Sequence, residues 1–289
     1  MRNFLLILLI GALEIQMLIA CSTRGEDETK SSSSVVKSSS STKTPSSSSS
    51  LDCSTVSSSS ISEDLCMDFD PDTEVEHFGR MKKQFCDKRN GKKYAYVEIG
   101  EQTWMAENLN YDVCGSKCSD GNRFVDYNTE NCDKYGRLYD WPTAITICPD
   151  GWHLPSDDEW TALMDYVGGD SVAGEKLKTT SGWKLDPWIY TCRSNENDRS
   201  RDDYIYCGTN GTDDYGFSAL PGGYGFTITE RFEGVGIGRW WSTTESSDRF
   251  AYNLCISNDF NGVYRYGHVK INFLSVRCVK DSELVEDDL

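Results

Sequence analysis

The sequence predicts an α+β domain with one or two helices, short antiparallel strands and long loops, stapled by disulfides. Three observations carry this expectation. One amphipathic helix pattern, at 156–168, precedes a long Gly-, Asn- and aromatic-rich stretch that offers only short β-like runs. The 289 residues include 12 cysteines but 3 histidines, a balance that favours disulfides in an oxidising compartment over zinc. Residues 31–60 contain 18 serines in 30 positions and cannot bury a core, so the fold is confined to the chain beyond residue 60.

The N-terminal element, residues 1–20, has Arg2 followed by the apolar run Phe4–Ile10, the pattern of a signal peptide. Glu14 and Gln16 interrupt the apolar stretch, which falls short of a bilayer span. Leu18-Ile19-Ala20-Cys21 resembles a bacterial lipobox, and the resemblance implies that Cys21 becomes the lipidated N-terminus. Ser22 rather than Asp comes next, which resembles outer-membrane sorting. Residues 21–62 read as a disordered tether, which as a flexible coil of about 40 residues reaches roughly 35 Å. Cys53 lies in this tether, where it can pair with Cys66 or Cys86 or link two molecules.

Of the formal net charge of −17, −2 falls on residues 22–65 and −5 on the acidic end 281–289, leaving −10 on 66–280. That balance excludes a nucleic-acid binder and disfavours attraction to anionic headgroups. Residues 63–86 form an acidic, Cys-containing lead-in. Asn90-Gly91 is a hairpin-turn dipeptide before the strand-like run Tyr94–Ile99, and Gly100 turns the chain into Gln102–Met105. Ser156 and Glu159 make a capping box after Pro155. Trp160, Leu163, Met164 and Val167 then form one apolar stripe, and Gly168-Gly169 supplies the stop. A shorter helix is expected over Ser171–Lys178, N-capped by Asp170. Strands are expected near Phe217–Leu220, Arg239–Thr243, Phe250–Cys255 and Ser275–Val279.

The string Val97–Tyr111 (VEIGEQTWMAENLNY) resembles the start of the Fibrobacter succinogenes major paralogous domain. So do Gly136–Trp141, Cys148–Trp160, Asp214–Tyr224, Trp240–Glu245 and Ser275–Asp281, in the same order along the chain. The resemblance covers about residues 87–281, leaving 282–289 as an acidic tail. It implies an exported protein, often a lipoprotein behind a serine-rich linker, with a fold similar to the C-type-lectin-like and formylglycine-generating-enzyme-like (sulfatase-modifying-factor-like) folds. It implies no particular activity. In a C-type-lectin-like layout, Cys148 and Cys278 lie on neighbouring elements, so their bridge is the pairing the resemblance implies. Closing that loop contributes about 4–5 kcal/mol in the chain-entropy treatment. Cys192 and Cys207 flank a polar insert that a bridge would pin. Two of Cys114, Cys118 and Cys132 are expected to pair, and Cys66 to join Cys86. Eleven cysteines remain once Cys21 is lipidated, so at least one stays free or pairs between chains; Cys53 and Cys255 are the expected leftovers.

Catalytic constellations are sparse. Cys114-x3-Cys118 with Cys132 would need a fourth zinc ligand, for which His153 and Cys148 are the candidates, but export favours disulfides. A formylglycine-generating-type oxidase would need two nearby cysteines late in the domain, and Cys255 stands alone there. Neither G-x-S-x-G nor H-E-x-x-H occurs, and His153 reads as a structural hydrogen-bonding residue. No cofactor is expected. Calcium stays open through Asp120/Asn122 and Asp126/Asn128/Glu130, although neither group has EF-hand spacing. Among 8 Trp and 15 Tyr, Trp104, Trp141, Trp152, Trp160 and Trp240 read as core. Trp183, Trp188, Tyr190, Tyr264 and Tyr266 are the ligand-binding candidates, because flat rings among polar loop residues suit sugars and protein interfaces. The expected function is a non-enzymatic envelope lipoprotein, membrane-bound through its lipid, that binds polysaccharide or an envelope protein. The alternatives are an envelope enzyme acting through a free cysteine and a disulfide-linked scaffold.

Overall fold

Four consecutive β-runs come first among the described elements because turn residues recur between them: β1 (Val75–His77), β2 (Arg80–Asp87), β3 (Lys92–Ile99) and β4 (Gln102–Met105). The structure, a computed structural model, describes residues 65–119, 130–183, 209–227, 231–233 and 236–282. Gly100 turns β3 into β4 at φ +63°, and a Cβ there would lie 2.9 Å from the Tyr166 ring, so glycine is required twice over. Residues 75–86 of the acidic lead-in thus belong to the sheet, and Cys66 is bonded to Cys86.

Short elements come next: α1 (Glu130–Tyr135), β5 (Leu138–Tyr139), α2 (Trp141–Ala144) and β6 (Trp152–His153). The capped helix is α3 (Asp157–Val167), with the reciprocal Ser156–Glu159 box at its start and Gly168 in the left-handed conformation at its end. The next helix, α4 (Asp170–Leu177), departs from expectation at its start. Gly169 is its N-cap and makes no side-chain cap, while Asp170 is already helical. Seven strands complete the described chain: β7 (Tyr224–Phe226), β8 (Arg231–Glu233), β9 (Ile237–Ser247), β10 (Phe250–Ser257), β11 (Tyr264–Val269), β12 (Leu274–Ser275) and β13 (Val279–Lys280). The fold is therefore α+β, with four short helices among the described residues rather than one or two.

The strands form a six-stranded sheet, β1-β2-β3-β4-β13-β6, a five-stranded sheet, β11-β10-β9-β12-β5, and the β7-β8 hairpin. Among the described strands pairing is antiparallel except where Ser275 runs parallel to Trp240, and isolated parallel bridges join Lys178 to Ala219 and Gly223 to Gly238. The expected single strand over Ser275–Val279 is divided. Its first residue ends β12 in one sheet, its last begins β13 in the other, and Val276–Cys278 cross between them. Nor is Phe217–Leu220 a strand. Gly216 and Ser218 sit at φ +70° and +55°, which breaks the extended run and leaves only Ala219 bridging Lys178.

Two apolar clusters flank the crossover. One packs α3 and α4 with Trp104, Trp183, Phe217 and Trp240; the rings of Trp104 and Trp160 lie 4.6 Å apart. The other gathers Tyr94, Met105, Tyr139, Trp152, Trp241 and Val276. Cys148–Cys278 staples the segment before β6 to the crossover, and Cys118–Cys132 ties α1 to the chain before it.

Arg277, wholly buried, occupies the middle of the crossover. Its Nε and Nη2 donate to Asn108 Oδ1 at 3.1 and 2.7 Å, and its Nη1 and Nη2 donate to the carbonyls of Phe217 and Ser218. The same Asn108 oxygen accepts from Trp240 Nε1 at 2.7 Å, while Asn108 Nδ2 donates to the Tyr135 carbonyl at 2.7 Å. Burial pushes the guanidinium down to about 9, opposed by Asp213 and Glu107. An Asn108→Ala variant takes the principal acceptor from a buried cation. It is expected to lose about 3 kcal/mol or more of stability in denaturant unfolding; a loss no larger than that of an exposed Asn→Ala change would overturn this reading of Asn108.

Candidate functional site

Beside Arg277 lies a second polar group, built on the 213–218 turn. Ser218 N and Oγ both donate to the buried Asp213 carboxylate, at 2.7 Å each. Lys82, reaching in from β2, donates from Nζ to Ser218 Oγ at 2.7 Å and lies 3.0 Å from His77 Nδ1. Desolvation pushes Lys82 down to about 8 and His77 down to about 3. A serine against a neutralisable lysine has the polarity of an activated nucleophile. Here, however, Ser218 is fully buried and its proton is engaged by Asp213. The group acts as an internal tie that fastens the β1–β2 hairpin to the turn.

A different chemistry lies along β11, which forms one edge of the five-stranded sheet. Tyr264 and Tyr266 stand two residues apart and so share a face, both half-buried. The Phe260 ring stacks on Tyr264 with centroids 4.8 Å apart and planes 26° apart. Arg239, buried, lies with its Cζ 4.0 Å from the Tyr224 ring centre and 5.4 Å from that of Tyr266. Asn253, opposite Tyr266 on β10, donates from Nδ2 to the Tyr266 carbonyl at 2.7 Å. Its buried Oδ1 has no hydrogen-bond partner among the described residues. His268 completes the face, with Nδ1 3.3 Å from Arg239 Nη1; burial and Arg239 push it down to about 3, so it is neutral at ordinary pH. Burial pushes the Tyr266 phenol up to about 12.

A third cluster is partly exposed. His153 on β6 is gripped by two carboxylates: Nδ1 lies 2.6 Å from Asp281 Oδ1 and Nε2 lies 2.7 Å from Glu159 Oε1. Burial lowers its basicity, but the hydrogen bonds to Asp281 and Glu159 outweigh it, so its pKa is raised. The contact joins the end of the domain to the capping box of α3, a structural role for this histidine.

Of the expected ligand-binding aromatics, Tyr264 and Tyr266 come together on one face. Trp183 does not join them, because it is fully buried and donates from Nε1 to Thr179 Oγ1 and the Ala219 carbonyl. Trp188, Tyr190, Cys192, Cys207, Cys21 and Cys53 lie outside the described residues, as do Asp120, Asn122, Asp126 and Asn128. Glu130 begins α1. Cys114 is disulfide-bonded, and so is Cys255, which corrects the expectation that Cys255 is left over. Among the described residues no group of His, Cys, Asp and Glu is placed to hold a metal ion. Sequence reading missed Arg239, Asn253 and Phe260. The register of β9 with β10 and of β10 with β11 is what brings the first two beside the tyrosines, and no local pattern encodes it.

A mixed α+β domain closed by its own last strands, stapled by disulfides and presenting an aromatic edge defines the class of protein. Residues 97–280 match the Fibrobacter succinogenes major domain, and the chain belongs to this family. No curated protein and no solved structure matches the chain.

The histidines give opposite pH signatures. His153 has a folded pKa raised above 6.5, so its stabilising contribution is complete below pH 6.5 and is lost as pH rises through the raised value. His77 and His268 have folded values of about 3, so their contribution is complete above pH 6.5 and is lost as pH falls towards 3. Thermal unfolding monitored from about pH 4 to about pH 9 is expected to show both flanks. In His153→Gln the alkaline flank flattens while the acid flank stays; an unchanged alkaline flank would remove His153 as its source.

Proposed function

We propose that this protein is an exported envelope lipoprotein, held in the outer membrane by acylated Cys21 on the serine tether. Its C-type-lectin-like domain binds a polysaccharide or an envelope surface partner without catalysing a reaction. The observation that carries this reading is the aromatic face of β11, where the stacked Phe260–Tyr264 pair adjoins Tyr266, Arg239 and Tyr224. Flat rings stack on the C–H faces of sugars, while neighbouring Asn and Asp side chains supply acceptors for hydroxyls. The −10 on residues 66–280 repels polyanions, which favours a neutral glycan. Disulfides agree with export, and none of the described helices is long and apolar enough to cross a membrane. The lectin-like assignment draws support from the last strand lying between β4 and β6 and from the Cys148–Cys278 bridge. An enzyme acting through Cys255 loses its thiol, since that cysteine is disulfide-bonded.

Two measurements test the reading. On an array of neutral cell-wall glycans, Tyr264→Ala is expected to weaken binding by about tenfold, in line with the roughly 0.5–1.5 kcal/mol of an aromatic contact. Tyr166→Ala, at an exposed ring remote in sequence from β11, leaves it unchanged; wild-type protein that binds none of these glycans would end the polysaccharide version. Separately, the chain expressed in a Gram-negative host with an alkyne fatty acid is expected to incorporate the label in wild type and to lose it in Cys21→Ser. Label retained in Cys21→Ser would place the acyl group elsewhere.

A further inference from the structure

The loop between β10 and β11 carries Phe260 and lies against α4 at very short range. Val263 N donates to the Asp170 carbonyl at 2.8 Å and Glu175 N to the Asn261 carbonyl at 2.7 Å. A Cβ on Gly174 would lie 2.1 Å from the Gly262 carbonyl oxygen, so the helix has no side chain where the loop crosses it. Behind this loop, at the C-terminal end of α4, sits Lys178, a fully buried lysine. Its Nζ donates to the carbonyls of Ser257 and Phe260, each at 3.2 Å, and lies 5.7 Å from the centre of the Trp183 ring. The carboxylates of Glu175 and Asp259 attract it, and Ser257 Oγ holds Asp259 Oδ1 at 2.6 Å.

Two backbone carbonyls, an aromatic face and two nearby carboxylates are donors suited to a cation. We propose that this is a cation pocket filled from within the chain. The Lys178 ammonium occupies it and draws together the two ends of the 257–260 segment, holding the loop that presents Phe260 to Tyr264 without a metal ion. The pocket's chemical class of ligand is a primary ammonium. The anchoring stands on these contacts alone, whereas its bearing on recognition rests on the glycan-binding reading above. Lys178 is thus a positioning residue for the aromatic face, and Trp183, expected from the sequence to meet a ligand, walls the pocket instead.

Chemical rescue tests this at pH 7, below the value of about 8 to which burial pushes Lys178. Lys178→Ala removes the ammonium and opens the space its stem occupied. Millimolar n-propylammonium is expected to raise the thermal midpoint of Lys178→Ala and to restore amide-exchange protection at Asn258–Asn261. It should do neither for wild type or for Lys178→Met, whose apolar side chain refills the space. Equal rescue by 1-propanol, or no rescue by the amine, would overturn the proposal. Wild-type protein supplies an arm that does not depend on the variant folding. Protection of Asn258–Asn261 is expected to be the same in EDTA and in millimolar calcium, and a calcium-dependent rise would overturn the proposal. None of these readouts uses a glycan, so a failure here is distinguishable from a failure of the binding reading.

Discussion

A single buried guanidinium sets the terms for the fold. Arg277 lies where the chain leaves the five-stranded sheet and enters the six-stranded one, and it is wholly shielded from water. Taking a cation out of water costs several kcal/mol unless its donors are met. Its partners come from distant segments: Asn108 after β4, and the Phe217–Ser218 carbonyls before β7. Asn108 in turn holds Trp240 of β9 and the end of α1. Any one of these segments out of place leaves a charge or a carbonyl unsatisfied in an apolar surround. The network therefore penalises every arrangement but one, which matters in a domain whose regular elements are short and whose loops are long.

The same logic repeats outward. Lys82 fastens the β1–β2 hairpin to the 213–218 turn through Ser218, and Lys178 fastens the 257–260 segment to α4. Three buried cations thus hold irregular backbone by its carbonyls and by one hydroxyl, and they do so in a domain that is acidic overall. Among the described residues four bases (Lys82, Lys178, Arg239 and Arg277) are buried against two acids (Asp87 and Asp213), so the exterior is more negative than composition alone implies. The disulfides act differently. Cys148–Cys278 restrains the unfolded chain over a separation of 130 residues, but it does not choose which carbonyl meets which donor.

Sequence reading recovers what local chemistry encodes. The Ser156 box, the α3 stripe and the Gly168 stop are written in consecutive residues, and α3 begins and ends where they place it. At α4 a preferred capping residue, Asp170, loses to Gly169, because the loop at Val263 uses the Asp170 carbonyl and fixes the helix start against β11. Phe217–Leu220 looks like a strand by composition, yet Ser218 bends to satisfy Asp213. Trp183 stands among loop residues, where a ring reads as surface; its burial comes from Lys178 and from Ala219, the latter far away in sequence. Nothing in the pattern around Lys82, Lys178 or Arg277 marks them as interior, since charged residues are read as exposed by default.

The aromatic face differs from these interior ties in what it leaves unspent. Around Arg277, each nitrogen of the guanidinium has a protein acceptor, and the cluster is closed to solvent. On β11 the rings of Phe260, Tyr264 and Tyr266 stay half-buried, and Asn253 keeps an oxygen that no described group donates to. Its titratable members are held far from neutrality, His268 at about 3 and Tyr266 at about 12. The polarity these two groups present is therefore constant around neutral pH. The edge thus sets flat rings beside fixed dipoles, the arrangement on which the proposed recognition of a hydroxyl pattern rests.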